Sequence, residues 1–211
     1  MEKIMTSYKL GTLSSSFESN GNPAAIGYDT TGGYSYGTYQ IETKQGTMKD
    51  FLKFLSSCDR YIPYASALQN AGGYAGAVNK TAAFEHAWQT LAREEDFVQA
   101  QHDFIIEQKL RPLFKKICMI KGLNPEERHP VLKDVLYSMA VQHGRAALIV
   151  QKALGTDVSS CSDREIINRL YDARIAYVSA LTKMAPKERD NIIRKRYPQE
   201  RDKALNLLSK A

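Results

Sequence analysis

The sequence predicts an α+β protein that is mainly helical and has one small antiparallel β-sheet near its N-terminus. Residues 25–43 are rich in Tyr, Ile, Ser and Thr and are interrupted by Gly32-Gly33, a pattern typical of short strands joined by tight turns. After residue 81, apolar side chains recur at helical spacing almost to the end of the chain. No apolar run has the length that a membrane-spanning helix needs.

The chain of 211 residues is long enough for one domain with a sizeable core, or for two small lobes around a cleft. We expect a single domain over residues 1–211. Residues 1–60 are expected to supply a catalytic helix and a β wall, and residues 81–211 to form a helical lobe. The first helix is predicted from Gly11 to Glu18, because Gly21 and Pro23 follow and end it.

Three further elements are predicted along the chain. Thr47 is expected to cap a helix that runs through Leu55. Residues 61–80 are rich in Gly and Ala and are expected to form an irregular connection. Asp163 is expected to cap a long helix, and two short basic helices separated by Pro198 are expected to follow it.

Charge and cysteine content narrow the classes of function. The net charge is +6, and residues 183–211 contribute +5 of it through nine Lys or Arg and four Asp or Glu. A basic flank suits an anionic polymer such as cell wall, although a solvated helix face explains the same charge. Aromatic and basic residues do not interleave as in nucleic-acid-binding signatures, so no nucleic-acid partner is expected. Cys58, Cys118 and Cys161 are too widely spaced for a zinc or redox motif and are expected to be reduced.

The N-terminus lacks the pattern of a general secretion signal. A basic start, an apolar stretch and a small-residue cleavage site are absent from residues 1–19. We therefore expect the protein to be made in the cytoplasm without a signal peptide and to reach any outside target by another route.

Two carboxylates stand close together in the N-terminal quarter. Glu18 is placed at the predicted end of a helix, and Asp29 lies in a turn that precedes a glycine-flanked strand. Cleavage of a glycosidic bond uses such a pair, since one acid protonates the leaving oxygen while the other organises water or the cation-like sugar. Glu18 would have to be partly buried, which raises the pKa of a carboxylic acid. The alternative is structural: Glu18 caps a surface turn, and Asp29 bonds to its own backbone.

Residues 29–37 (Asp-Thr-Thr-Gly-Gly-Tyr-Ser-Tyr-Gly) resemble the turn Asp-Thr-x-Gly-x-x-Thr-x-Gly that follows the catalytic glutamate in phage-type lysozymes. Ser35 takes the place of the last threonine. The resemblance implies a lysozyme-like fold in which Glu18 is the acid, Asp29 is the second carboxylate and Ser35 positions water. It favours inversion at the anomeric centre, which requires a carboxyl separation of about 6.5–9.5 Å.

The chain also resembles a chitosanase-like group of phage and type VI secretion proteins. The resemblance rests on residues 17–21 (Phe-Glu-Ser-Asn-Gly), 32–40 (Gly-Gly-Tyr-Ser-Tyr-Gly-Thr-Tyr-Gln) and 140–144 (Ala-Val-Gln-His-Gly). The resemblance covers the N-terminal quarter well. Over the rest of the chain, apart from residues 140–144, it is a similarity in the order of the predicted elements. Glu18-Ser19 and residues 37–40 also echo soluble lytic transglycosylases.

We expect Tyr36, Tyr39, Gln40 and His143 to contact substrate. Aromatic faces and amides suit pyranose rings, although strand residues that face inward often belong to the core. His143 lies among apolar residues, so a buried histidine is the competing interpretation. No residue spacing indicates a metal site, and no cofactor is expected.

The resulting hypothesis is a muramidase that cleaves peptidoglycan after delivery by a type VI secretion or phage lysis route. Its expected site of action is the periplasm or cell wall, as an antibacterial effector or an endolysin. A secretion spike protein and an immunity protein are its candidate partners, and membrane insertion is not expected. Two alternatives remain open: a chitosanase, and a non-catalytic structural protein of a phage-like particle.

Overall fold

The computed structural model describes residues 10–13 and 21–210. The chain divides into two compact units, which we call the sheet unit (Ser15–Glu107) and the helical unit (Met1–Ser14 with Gln108–Ala211). Helices that follow residue 81 therefore occur in both units. The single-domain organisation stays a prediction, and residues 82–105 belong with the sheet rather than with the later helices.

The sheet unit contains one antiparallel sheet of strand order β1-β2-β3, formed by Ile26–Asp29, Gly33–Tyr36 and Ile41–Glu42. Residues 30–32 connect β1 to β2, and Gly33 adopts a φ of 77°, which a residue with a side chain rarely takes. The predicted small sheet near the N-terminus and the mainly helical remainder are both confirmed.

One face of the sheet packs on an aromatic core. Tyr36 is completely buried against Phe84 and Trp88, with ring centroids 5.4 Å and 5.2 Å away. Phe51 extends this cluster, because its ring centroid lies 5.8 Å from that of Trp88. The indole N–H of Trp88 donates to the Pro23 carbonyl oxygen at 3.0 Å, which fastens the chain ahead of β1.

The helices of the two units have the following bounds. The sheet unit contains α1 (Thr47–Ser56), α2 (Ile62–Asn70), α3 (Gly73–Val78), α4 (Ala82–Leu91) and α5 (Glu95–Ile105), with a 3₁₀ turn at Asp59–Tyr61. A π turn, Ile106–Leu110, follows α5. The helical unit contains α6 (Arg111–Ile117), α7 (Pro130–Gln142), α8 (Ala146–Leu154), α9 (Asp163–Ser179), α10 (Pro186–Asn191), a π turn (Ile192–Arg196) and α11 (Tyr197–Leu208).

The structure corrects four local predictions. Residues 61–80 form helices α2 and α3 instead of an irregular connection, because buried side chains such as Leu68 hold them in the core. Gly46 rather than Thr47 precedes α1 as its N-cap. Ser162 rather than Asp163 caps α9, since its hydroxyl accepts the N–H of Glu165. The last helices are not separated at Pro198, which lies in the first turn of α11, where its missing N–H is tolerated.

Asp134 on α7 ties residues 10–13 to the rest of the helical unit. Its side chain is fully buried, and its two carboxylate oxygens accept the N–H groups of Gly11 and Leu13 at 2.6 Å and 3.0 Å. Lys203 on α11 donates to the Thr12 carbonyl oxygen at 2.6 Å. Residues 10–13 form turns, and the rest of the helix predicted to end at Glu18 lies outside the described residues.

Within the described ranges, no helix combines the length and apolar character that crossing a bilayer requires. All three cysteines fall in these ranges, and none of them is in a disulfide bond.

Candidate active site

The face of the sheet opposite the aromatic core is polar. Gly27, Ser35 and Glu42 are direct partners across β1, β2 and β3, so they share one face. Asp29 lies two residues beyond Gly27 on β1 and therefore belongs to the same face. Tyr36, one residue after Ser35, points into the core instead. The alternation of the strands thus gathers two carboxylates and a hydroxyl on one surface.

One carboxylate oxygen of Asp29 is bonded to the loop that follows β1. Its Oδ1 accepts the N–H groups of Thr31 and Gly32 at 2.7 Å and 2.6 Å, which closes the loop between β1 and β2. The alternative in which Asp29 bonds to its own backbone therefore accounts for Oδ1. The side chain is exposed, so Oδ2 remains a candidate base.

Glu42 comes close to Asp29 above Gly32. A Cβ on Gly32 would lie 3.0 Å from Asp29 Oδ2 and 2.9 Å from a Glu42 carboxylate oxygen. Gly32 thus leaves space that the two carboxylates border. Lys44 supplies a positive charge at the same loop, because its Nζ donates to the Thr30 carbonyl oxygen at 2.9 Å.

Ser35 is bonded to a residue that was expected to contact sugar. Its hydroxyl donates to Oε1 of Gln40 at 2.7 Å, and Gln40 Nε2 donates to the Gly37 carbonyl oxygen at 3.1 Å. Ser35 is only 4% exposed. A Cβ on Gly27 would lie 3.0 Å from both Ser35 Oγ and Gln40 Oε1, so the glycine leaves room for this pair.

Helix α5 anchors the turn between β2 and β3. Gln101 is fully buried, and its Oε1 accepts the Thr38 N–H at 3.1 Å. Tyr39, another expected sugar contact, is half-buried, and its hydroxyl lies 2.7 Å from Nδ1 of His102. The structure thus joins Tyr39 to α5, and a sugar contact by its ring stays a prediction.

Tyr36 is placed differently from the other expected sugar contacts. It has no exposed surface, its hydroxyl donates to the Ala77 carbonyl oxygen at 2.8 Å, and burial raises its pKa. A fully covered side chain cannot reach a ligand, so we assign Tyr36 to the core rather than to substrate binding.

His143 lies in the helical unit, directly after α7. It is 7% exposed, and Nε2 lies 2.9 Å from the Tyr197 hydroxyl. Burial, with Arg174 and Arg196 nearby, lowers the pKa of His143 to about 3, so the imidazole is neutral at physiological pH. These observations match the competing interpretation of a buried histidine, and we assign His143 a structural role.

Glu18, the expected general acid, lies outside the described residues. Of the expected catalytic residues, the structure places Asp29 and Ser35 on one face. It adds Glu42 to that face, which the sequence analysis missed. The sequence places Glu42 two residues after Gln40 in a short strand. This position alone does not show that Glu42 pairs with Ser35 on the neighbouring strand. Within residues 10–13 and 21–210, no group of His, Cys, Asp and Glu side chains is arranged to hold a metal ion.

Comparison with known proteins identifies relatives over nearly the whole chain. Residues 10–201 match the family described as "Type VI secretion system spike protein VgrG3-like, C-terminal". The chain is 28% identical over 185 residues to the type VI secretion system spike protein VgrG3 of Vibrio cholerae serotype O1. That match covers 85% of this chain but only 17% of the length of the relative.

Solved chitosanases share the fold. The native chitosanase from Bacillus subtilis MY002 superimposes with a TM-score of 0.60 and 17% identity, covering 93% of this chain and 86% of the chitosanase. A mutant of that chitosanase in complex with 6 GlcN gives a TM-score of 0.58 and 16% identity over the same shares of both chains.

Proposed function

Because the chain belongs to the type VI secretion system spike protein VgrG3-like C-terminal family, we propose that it is a peptidoglycan-cleaving glycoside hydrolase carried by a secretion spike. The observation that carries the catalytic part of this proposal is the polar face of the sheet. Asp29, Ser35 and Glu42 share that face, and glycines leave space beside them. The similarity to chitosanases supports a fold that can act on glycans.

In the proposed reaction, Glu18 is the general acid and Asp29 the general base. Glu18 gives its proton to the leaving glycosidic oxygen as the bond from that oxygen to the anomeric carbon breaks. A water molecule oriented by Ser35 forms the new bond to that carbon, and its proton passes to Asp29. The anomeric configuration is inverted, and a free reducing end is released.

We infer the delivery route and the partners from the same family match. A protein delivered with a secretion spike would meet the wall of a recipient cell from its periplasm, so we infer that the protein acts there. A producing cell exposed to the same activity would need an immunity protein as a further partner. The positive excess of residues 183–211 suits the anionic wall.

Chitosan is the second candidate substrate. Asp29 and Glu42 offer two carboxylates around Gly32, which suits the protonated amines of a polycationic glycan. The similarity to a chitosanase in complex with 6 GlcN points the same way. The net charge of +6 opposes this candidate, since a basic protein repels a cationic polymer.

The test is to incubate wild type and the Glu18→Gln variant with purified sacculi and, in parallel, with chitosan. Wild type is expected to clear sacculi and to release reducing ends identified by mass. The rate of the variant should be at least about 100-fold lower than that of wild type, because an amide cannot donate the proton. Glu127→Gln, the same change at an exposed position, is the matched control.

Three results would contradict parts of the proposal. Depolymerisation of chitosan in preference to sacculi would make the protein a chitosanase. Product ends with a 1,6-anhydro ring would identify a lytic transglycosylase and remove the assigned role of Asp29. If wild type is inactive on both polymers, the result would favour the alternative of a non-catalytic structural protein.

A further inference from the structure

The hydrogen bond between Ser35 and Gln40 has a defined direction. Oε1 of Gln40 is a carbonyl oxygen and has no proton to give, so the Ser35 hydroxyl must be the donor across their 2.7 Å contact. The orientation of the amide is fixed as well. Its other end lies 3.1 Å from the Gly37 carbonyl oxygen, which only accepts, so this end must be the NH₂ group.

We propose that Gln40 is a positioning residue that makes Ser35 solely a hydrogen-bond acceptor toward the attacking water. This inference rests on the proposed hydrolase function and replaces the sugar contact expected of Gln40. A serine hydroxyl has one proton, and Gln40 takes it. Only the lone pairs of Ser35 Oγ are then left for a water molecule.

The direction of this bond affects the nucleophile. A water molecule that donates its protons to Ser35 Oγ and Asp29 Oδ2 has a lone pair left to attack the anomeric carbon. Asp29 Oδ1 is committed to two backbone N–H groups, so Oδ2 is the oxygen to receive the proton. A Ser35 hydroxyl that donated to the water would occupy a lone pair and lower its nucleophilicity.

Several features hold Gln40 in this position. Its backbone has a φ of 51°, a left-handed conformation that is uncommon for a residue other than Gly. The turn that carries it is fastened to buried Gln101 through the Thr38 N–H. Because Ser35 is 4% exposed, bulk water competes poorly for its proton.

The first test is a double-mutant cycle of Gln40→Met and Ser35→Ala on soluble glycan chains released from sacculi. Gln40→Met should lower kcat about tenfold with KM within about twofold, because the water is misoriented while ground-state binding is kept. In the Ser35→Ala background the same change should have no further effect. Gln199→Met, at an exposed position of α11, is the control.

The second test uses Gln40→Glu, and it can be carried out even if Gln40→Met does not fold. A carboxyl oxygen at this place accepts the Ser35 proton whether the group is ionised or protonated, so kcat of this variant near neutral pH should stay above that of Ser35→Ala. A role of Gln40 only through its bond to Gly37 predicts instead a loss near neutral pH, because a carboxylate cannot donate. That loss would be recovered as pH falls toward the ordinary Glu pKa of about 4.3.

The outcomes separate the inference from the function on which it rests. Additive losses in the cycle, or a Gln40→Glu variant whose activity returns only as pH falls, would overturn the role of Gln40 while an active wild type upholds the hydrolase. Wild type that is inactive on sacculi and on chitosan would overturn both.

Discussion

Arg174 of α9 and Glu200 of α11 form an ion pair of 3.2 Å in which neither side chain is exposed to solvent. The Arg174 guanidinium packs against the rings of both Tyr171 and Tyr197, 4.9 Å and 4.5 Å from their centroids. Burial acts to raise the pKa of Glu200, but Arg174, Ser138 and Arg196 together lower it. The pair is therefore charged, and it ties two helices of the helical unit together.

Glu200→Gln is expected to destabilise the protein by about 3–5 kcal/mol, because it leaves the Arg174 charge buried without a counter-ion. Urea unfolding followed by circular dichroism measures this change. Glu127→Gln, at an exposed site, should alter the free energy of unfolding by less than about 0.5 kcal/mol. A loss below about 1 kcal/mol for Glu200→Gln would show that the pair does not hold the helices.

His143 is expected to make stability depend on pH between about 6.5 and about 3, its pKa values in the unfolded and folded chain. The unfolded chain binds a proton near the ordinary pKa of about 6.5, whereas the folded chain resists it down to about 3. Stability should therefore fall as pH falls through this window, by at most about 1.4 kcal/mol per pH unit. His143→Gln should flatten the decline, and exposed His86→Gln should not. Equal slopes for wild type and His143→Gln would contradict the neutral buried state.

Asp29→Asn should lower the rate on sacculi about 100-fold and leave thermal unfolding nearly unchanged. The amide oxygen can still accept from Thr31 and Gly32, so the loop is kept while the base is lost. Asp202→Asn, on the exposed side of α11, is the matched control. A rate near that of wild type would reduce Asp29 to its role in the turn.

Glu42→Gln separates the two candidate substrates. Removing this charge beside Asp29 should weaken binding of cationic chitosan oligomers severalfold and strengthen binding of anionic wall fragments. Binding of both ligands is measured by calorimetry at two salt concentrations, since screening should reduce the difference. Equal effects on the two ligands would show that Glu42 does not select by charge.

Gly27→Ala tests the space beside Ser35 and Gln40 without removing a functional group. The added Cβ would lie 3.0 Å from both polar atoms and should press the pair apart. We expect kcat to fall about tenfold with the fold preserved. Gly144→Ala, which has nothing within 4 Å of its added Cβ, controls for the loss of a glycine. Unchanged kcat would indicate that the pair tolerates displacement.

Local chemistry in the sequence was enough to predict part of this structure. The glycine-broken, Tyr- and Thr-rich segment before residue 43 indicated the small sheet, and the 3.6-residue period of apolar side chains indicated the helices after residue 81. The Asp-Thr-x-Gly turn indicated the position of Asp29, and the resemblance to type VI secretion proteins agrees with the family match over residues 10–201. These signals come from residues that are close together in the sequence, so they can be recognised without knowledge of the fold.

Tertiary structure alone decided which side chains share a face and which are buried. Strand register brings Glu42 opposite Ser35, and a left-handed backbone turns Gln40 toward Ser35. Burial places Tyr36 and His143 among packed side chains, although both types of residue also suit a sugar site. Register and burial are set by contacts between residues distant in sequence, and a local pattern carries no information about which distant partner a side chain meets.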